Sequence, residues 1–131
     1  MRIYTSYYSR LRDIRAAGIL PIAVSRGIPH WAGIDPKRHA IFALAPRRDM
    51  LHLPWEEYKP EYAAILARLD AELMLKAIRI TAEDKDCALL CWEKDHNTCH
   101  RSLVAKWLNC AQHAGISEWE PSANVQGELL G

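Results

Sequence analysis

The stretch that decides the fold runs from residue 87 to residue 111, and it reads Cys87-Ala88-Leu89-Leu90-Cys91-Trp92-Glu93-Lys94-Asp95-His96-Asn97-Thr98-Cys99-His100-Arg101-Ser102-Leu103-Val104-Ala105-Lys106-Trp107-Leu108-Asn109-Cys110-Ala111. Its apolar start predicts a buried strand. Its second half has apolar residues at helical spacing, which predicts an amphipathic helix. In open α/β sheets such a strand–loop–helix junction lies at the carboxyl edge of the strands, where ligands bind.

The polar loop between strand and helix predicts a reactive helix start. Thr98 or Asn97 is a suitable N-cap, which would put Cys99, His100 and Arg101 in the first helical turn. Unpaired N–H groups and the positive end of the helix dipole gather there. We therefore expect a Cys99 thiol whose pKa is below the ordinary value of about 8.5, and a site that accepts anions.

Outward from this stretch, strands and helices alternate. Further strands are predicted at residues 2–6, 19–24 and 40–45, with a short one near 116–120, and helices at 8–17 and about 60–80. Pro21 favours an edge strand or a strand start. The alternation predicts one α/β domain over residues 1–121, Rossmann-like, with a mostly parallel sheet and helices on both faces in an open three-layer arrangement. Residues 122–131 are predicted to be a loosely held tail.

Two short motifs resemble the domain of unknown function 488 family. They are Leu89-Leu90-Cys91-Trp92-Glu93 at the strand end and Cys99-His100-Arg101-Ser102-Leu103 at the helix start. Elsewhere the chain departs from the family pattern: Tyr4–Ser9 replaces a Gly-His-Ser-like turn, and Ala23-Val24-Ser25-Arg26 keeps the arginine of an Asp-Val-Arg ending without its aspartate. The resemblance implies the fold across most of the chain, and no reaction, because the family's function is not established.

Composition excludes several classes of protein. The chain has 131 residues and a net charge of +1, with no apolar run long enough for a membrane helix and no signal-peptide pattern. Four cysteines without an export signal indicate cytoplasmic thiols. There is no Gly-rich dinucleotide fingerprint and no Walker loop, so neither NAD nor ATP is indicated and no cofactor is expected.

Charge is unevenly distributed along the chain. Residues 1–48 contain nine Lys/Arg against two Asp/Glu, whereas residues 49–131 contain eight against 14. This split favours a basic face, whose natural partner carries phosphate. If the two halves interleave in space, the asymmetry disappears.

Parallel strands would bring polar side chains to one edge of the sheet, where we expect a polar pocket. The expected catalytic residues are Cys99, His100 and Glu93. The expected substrate-binding residues are Arg101, Arg26, Ser6, Tyr7, Ser9 and Cys91. Arginine is chosen for its bidentate contact with phosphate or carboxylate, although a surface ion pair would explain each arginine equally well.

Several roles remain open at this stage. Cys99 is a nucleophile, a packing residue, or a metal ligand with Cys91 and His100; because Cys-x7-Cys-His is not a standard finger spacing, we expect no metal. His100 is not automatically a base for Cys99, since adjacent helical residues point about 100° apart. Cys87 and Cys110 are expected to be shielded by the core.

The predicted function is a small enzyme that acts on a nucleotide or another anion derived from nucleic acid. The alternative is a non-catalytic module that binds nucleic acid or a partner protein. Loop residues Trp31 and Trp55, with His30 and His52 close to them in sequence, either stack on nucleobases or cover a core edge. No membrane partner is expected, and the pattern does not indicate the oligomeric state.

Overall fold

The structure is a computed structural model that describes residues 1–121. These described residues form four strands: β1 (Ile3–Tyr7), β2 (Leu20–Ala23), β3 (Cys87–Cys91) and β4 (Ser117–Glu118). Four α-helices connect or cover them: α1 (Leu11–Ala16), α2 (Trp55–Ala67), α3 (Ala71–Thr81) and α4 (His100–Gln112). Short 3₁₀ turns fill much of the remainder, including Phe42–Leu44, Arg48–Met50 and His96–Thr98. The predicted tail, residues 122–131, lies outside the described residues.

The sheet confirms the predicted fold class. All its strand pairs are parallel, in the order β2-β3-β1-β4. Tyr7 lies opposite Cys91 and Ala23 lies opposite Leu90, so the carboxyl ends of the three longer strands are level with one another. The loops that follow these strands therefore meet at one edge of the sheet.

Helices cover both faces of the sheet. On one face, Leu11 and Ile14 of α1 pack against Leu90 of β3 and its neighbours. On the other face, Tyr62 of α2 and Leu108 of α4 belong to the larger cluster, which also includes α3 and the opposite side of the sheet. This second core is large because three helices share it, and it packs α4 against β1 and β3.

Pro21 occupies the position that its chemistry requires. It lies in β2, which is one of the two edge strands of the sheet. The N–H groups of Leu20 and Val24 donate towards β3, at 2.9 Å from Asp86 O and 3.0 Å from Leu90 O. The nitrogen of Pro21 points to the open edge, where a missing N–H leaves no ladder bond unmade.

The predicted strand at residues 40–45 is wrong. Only Ala40 forms an isolated bridge, with Ala23, and the chain then turns into the 3₁₀ helix Phe42–Leu44. Ile41, Leu44 and Ala45 are buried while Phe42 and Ala43 are exposed. This spacing of three to four residues is that of a helical turn, not the alternation of a strand.

The single helix predicted at about 60–80 is two helices. Asp70 ends the connection between α2 and α3, and its side chain accepts a hydrogen bond from the N–H of Leu73 at 3.0 Å. This N-cap starts a new helix. Leu73, which continues the apolar spacing of Ile65 and Leu69 in the sequence, is 62% exposed. The predicted start near residue 60 is also wrong, because α2 begins at Trp55 and Pro60 lies inside it.

The start of α4 differs by one residue from the prediction. Cys99 is the N-cap, in extended conformation (φ −125°, ψ 145°), and the helix begins at His100. Thr98 and Asn97 belong to the preceding 3₁₀ turn, where the Asp95 carboxylate accepts from the N–H of Asn97. Within residues 1–121, no helix is both long enough and apolar enough to span a membrane.

Candidate functional site

A cavity of about 780 Å³ opens at the carboxyl edge of β2 and β3. The loop after β2, the loop after β3, the start of α4 and the irregular segment before α2 surround it. Its lining is Ser25, Arg26, Gly27, Pro46, Arg48, Leu51, Leu53, Trp55, Tyr58, Cys91, Trp92, Glu93, Thr98, Cys99 and His100. This is the edge of the sheet where the sequence leads us to expect a polar pocket.

Aromatic side chains form two walls of the cavity. The rings of Trp55 and Tyr58 are stacked, with centroids 5.4 Å apart. Trp92 packs edge-on against Tyr8 at 5.3 Å, and its indole N–H donates to Gly27 O at 2.7 Å, which fixes the ring although it is 54% exposed. A planar, partly apolar ligand group is matched by such walls.

Two arginines lie on the rim. Arg26 follows β2 and donates from Nε to Pro46 O at 3.2 Å, while Arg48 comes from the 3₁₀ turn before α2. Within residues 1–121, neither guanidinium has an acidic group within ion-pair distance. By contrast, the buried Arg101 and five other arginines or lysines each form an ion pair. Both arginines belong to the basic first 48 residues, so part of the charge asymmetry is realised at this cavity.

Glu93 is the acidic group in the cavity wall. Its carboxylate lies close enough to Tyr58 to raise the pKa of that phenol, in addition to the larger effect of burial. Tyr58 therefore stays protonated at neutral pH and retains a hydroxyl proton. The cavity thus combines two cations, one carboxylate and one phenol.

The floor of the cavity consists of Cys91, Cys99 and His100, all buried. The two sulfurs are in direct contact at disulfide range, and the Cα atoms of the two cysteines are 7.7 Å apart. Cys99 Sγ lies 3.6 Å from His100 Nδ1. The helical geometry assumed for these two neighbours does not apply, because Cys99 precedes the helix and its extended backbone turns its sulfur towards the imidazole.

His100 is held as a neutral imidazole. Its Nε2 lies 2.8 Å from Val24 O, so the proton is on Nε2 and donates to that carbonyl. Burial, with a smaller contribution from the Arg101 charge, lowers the pKa of His100 to about 4. At neutral pH, Nδ1 therefore presents a lone pair towards Cys99.

Arg101 does not reach the cavity. Its guanidinium is fully buried and binds Glu118 through two contacts, Nε to Oε1 at 2.9 Å and Nη2 to Oε2 at 2.8 Å. The remaining donors go to Cys91 Sγ at 3.0 Å, Glu93 O and Lys94 O. Because all five N–H groups are used, the predicted role of Arg101 in holding a substrate is corrected to one in holding the loop after β3.

Three further predicted binding residues lie outside the cavity. Ser6 is buried in β1 on the α1 face, and its hydroxyl has no hydrogen-bond partner among residues 1–121. Tyr7 packs its ring against the Arg101 guanidinium at 5.5 Å, and Ser9 is exposed. The pocket was expected to include the end of β1, but Arg101 and its partners occupy that side of the edge.

Sequence reasoning missed Arg48, Tyr58 and Trp92 as residues of the site. Arg48 and Tyr58 come from the segment between residues 46 and 58, which has no motif and reaches the cavity only because α2 packs beside α4. Trp92 carried a signal, since it follows a buried strand at the carboxyl edge of the sheet. Trp31 does not contribute to this cavity and is 57% exposed.

The two other cysteines differ from each other. Cys87 is buried, as predicted, and burial raises the pKa of its thiol to about 12. Cys110 is exposed on α4, so the prediction that the core shields it is wrong. The Cys110 side chain lies at the groove between α2 and α4, where it faces solvent.

Residues 22–108 match the family model described as Domain of unknown function DUF488. The match covers two thirds of the chain and includes the second half of β2, all of β3, most of α4 and the whole cavity lining. The chain belongs to the DUF488 family. This confirms the resemblance that the Cys91 and Cys99 motifs predicted, and it extends to the α2 and α3 region, for which no motif was recognised. No curated protein and no solved structure matches the chain.

Proposed function

We propose that this DUF488 protein is a small enzyme that binds a nucleotide-like anion in the cavity at the edge of its sheet. One observation carries the proposal: Arg26 and Arg48 lie on the rim of a cavity that also has aromatic walls. Neither arginine has a carboxylate partner among residues 1–121. Guanidinium groups suit phosphate, and stacked aromatic rings suit a nucleobase. A cavity of about 780 Å³ is within the usual size range for a small-molecule site.

The proposed orientation follows from where each group lies. The phosphate faces the arginines at the rim, and the base lies against Trp55 or Trp92. The part of the ligand between them then faces the floor, where Cys99 and His100 lie, with Glu93 in the wall as the group that exchanges a proton. We place the protein in the cytoplasm, where free thiols such as those of Cys87 and Cys110 persist.

A thermal-shift panel tests the ligand class. It compares inorganic phosphate, nucleoside monophosphates and diphosphates, and the matching nucleosides. A ligand present at 100 times its Kd stabilises the fold by about 2.7 kcal/mol, which corresponds to an increase in Tm of roughly 10 °C for a domain of this size. We expect nucleotides to raise Tm and nucleosides to raise it much less.

Arginine variants locate the binding. Replacing Arg48 or Arg26 by Gln removes one charge-assisted hydrogen bond, which is worth about 1.5–3 kcal/mol, or roughly ten- to a hundred-fold in affinity. Arg12→Gln is the matched control, since Arg12 is exposed on α1 and lies away from the cavity. An equal loss in the control would mean that net charge alone, rather than the cavity, is responsible.

The competing function is a non-catalytic module for nucleic acid. It would show no Tm shift with any small ligand, together with binding to short DNA or RNA that weakens steeply with salt. If that binding is also unchanged in the Arg48→Gln variant, the cavity is not the binding site and the enzyme proposal fails.

A further inference from the structure

The buried floor of the cavity is a set of three metal-ligand side chains. We propose that Cys91, Cys99 and His100 bind one Zn²⁺ ion, with the fourth coordination position open to the cavity. The inference deepens the proposed function, because it assigns a cofactor to the same site. Metal binding itself does not require that the ligand of the cavity be a nucleotide.

The donor atoms lie in one cluster, and the spacing of sulfur and nitrogen in it matches that around one ion. The two sulfurs and an imidazole nitrogen of His100 all lie within 4.8 Å of one another, and each residue is buried. With Zn–S bonds of about 2.3 Å and Zn–N bonds of about 2.0–2.1 Å, a sulfur and a nitrogen on one tetrahedral ion are about 3.6 Å apart. Cys99 Sγ and His100 Nδ1 are separated by 3.6 Å.

The backbone positions favour a metal over a permanent disulfide. The Cα atoms of Cys91 and Cys99 are 7.7 Å apart, whereas disulfide-bonded cysteines usually have Cα atoms about 4.4–6.8 Å apart. Two Zn–S bonds span a wider gap than one S–S bond. To hold one tetrahedral ion, the sulfurs of the reduced pair move from direct contact to about 3.8 Å apart, which the wide Cα separation permits.

The surroundings of the three residues are those of a metal site. Metal-bound histidines almost always donate their second ring N–H to an oxygen, which fixes the tautomer. His100 does so through Nε2 and Val24 O, which leaves Nδ1 unprotonated and directed at Cys99. Arg101 Nη1 donates to Cys91 Sγ at 3.0 Å, and such a contact stabilises a thiolate, the form of cysteine that binds a metal.

Zinc is the ion that this donor set selects. Two thiolates and one imidazole are soft to intermediate ligands, typical of zinc and unsuited to Mg²⁺ or Ca²⁺. Two thiolates also neutralise the charge of a divalent ion, so its burial costs little. Three protein ligands with an open position are the arrangement of catalytic zinc sites, where the ion binds water or a substrate oxygen. Cys99 then acts as a ligand and not as a nucleophile.

The test is metal analysis of the full chain, purified and kept under reducing conditions. We expect one zinc per chain by mass spectrometry. Replacement of zinc by Co²⁺ should give a thiolate-to-cobalt charge-transfer band and intense visible bands of a tetrahedral site. Each of Cys91→Ser, Cys99→Ser and His100→Gln should weaken metal binding at least ten-fold. Cys110→Ser, which removes an exposed thiol outside the site, should bind metal as the wild type does.

The wild-type cobalt titration keeps the test decisive even if a variant fails to fold, which circular dichroism would reveal. Absence of the charge-transfer band in folded, reduced wild type would overturn the proposal. The proposal would also be overturned if Cys91 and Cys99 form a disulfide and the protein binds no metal after that disulfide is reduced in the presence of Zn²⁺. Zinc content is measured without nucleotide, so a metal-bound protein that binds no nucleotide refutes only the function proposed above.

Discussion

Replacement of Arg101 distinguishes a structural role from a ligand-binding one. In Arg101→Gln, the Glu118 carboxylate, whose side chain is 15% exposed, loses both of its guanidinium contacts. The carbonyls of Glu93 and Lys94 and the sulfur of Cys91 lose their donor as well. Thr5 Oγ1 still donates to Glu118 Oε1 at 2.7 Å, but the carboxylate stays buried without its ion-pair partner, and such a loss costs about 3–5 kcal/mol. We expect the free energy of unfolding to fall by that amount.

Urea unfolding followed by circular dichroism measures this loss. Glu118→Gln and the double variant with Arg101→Gln complete a double-mutant cycle, for which we expect a coupling energy of about 2–3 kcal/mol. Lys76→Gln is the control: it breaks an exposed ion pair with Glu72 on α3 and should cost about 0.5 kcal/mol or less. Arg101→Lys should not restore stability, because an ammonium group cannot reproduce the bidentate geometry.

The opposite result would restore the role predicted from sequence. An Arg101→Gln protein that unfolds within 1 kcal/mol of the wild type, while losing affinity for nucleotides, would place Arg101 in ligand binding. The arrangement of its five donors described above would then be incorrect.

Two further predictions concern stability and thiol access. Alkylation with iodoacetamide at pH 8, read peptide by peptide, should modify Cys110 quickly and Cys87 only after unfolding, because Cys87 is buried and its thiol pKa is raised to about 12; equal rates in the native protein would contradict this. Asp70→Ala should lower the free energy of unfolding by about 1 kcal/mol, since Leu73 N–H loses its capping acceptor, and Asp70→Asn should retain most of that stability. An unchanged urea midpoint in Asp70→Ala would show that α3 does not depend on this cap.

Much of the fold was predictable because its strands carry unambiguous patterns. The apolar run at Cys87–Cys91 and the stripe on α4 each correspond to one element with one buried face. The apolar run at residues 40–45 was ambiguous, because six apolar residues fit a strand or a helical turn equally well. Only tertiary packing, which buries Ile41 and Leu44 and exposes Phe42, decides between them.

The sequence contains a local signal for the division between α2 and α3, but the longer apolar periodicity across it suggests a single helix. Asp70 is a good N-cap, but the apolar spacing of Ile65, Leu69 and Leu73 continues across it and suggests one helix. In the structure Leu73 is mostly exposed, so the last member of that stripe is not part of the core. The cap was better evidence than the periodicity.

For the candidate site, sequence reasoning identified the floor, Glu93 and one of the two rim arginines, but it missed Arg48, Tyr58 and Trp92. Cys91, Cys99 and His100 were found because they flank a strand–loop–helix junction, and Arg26 because it follows β2. Residues from the segment 46–58 could not be found in this way, since their position depends on the packing of α2 against α4. Arg101 was assigned to substrate binding because a sequence motif does not show that its side chain is buried or that Glu118 lies next to it.

The central claim is that the rim arginines and aromatic walls form one phosphate-binding site. Isothermal titration calorimetry tests it most directly, with the tightest nucleotide of the panel and its nucleoside titrated into the wild type, the Arg26→Gln/Arg48→Gln double variant and the Arg12→Gln control. We expect the nucleotide to bind the wild type and the control equally, and the double variant at least a hundred-fold more weakly. Equal affinity of the nucleotide for the wild type and the double variant would contradict the claim.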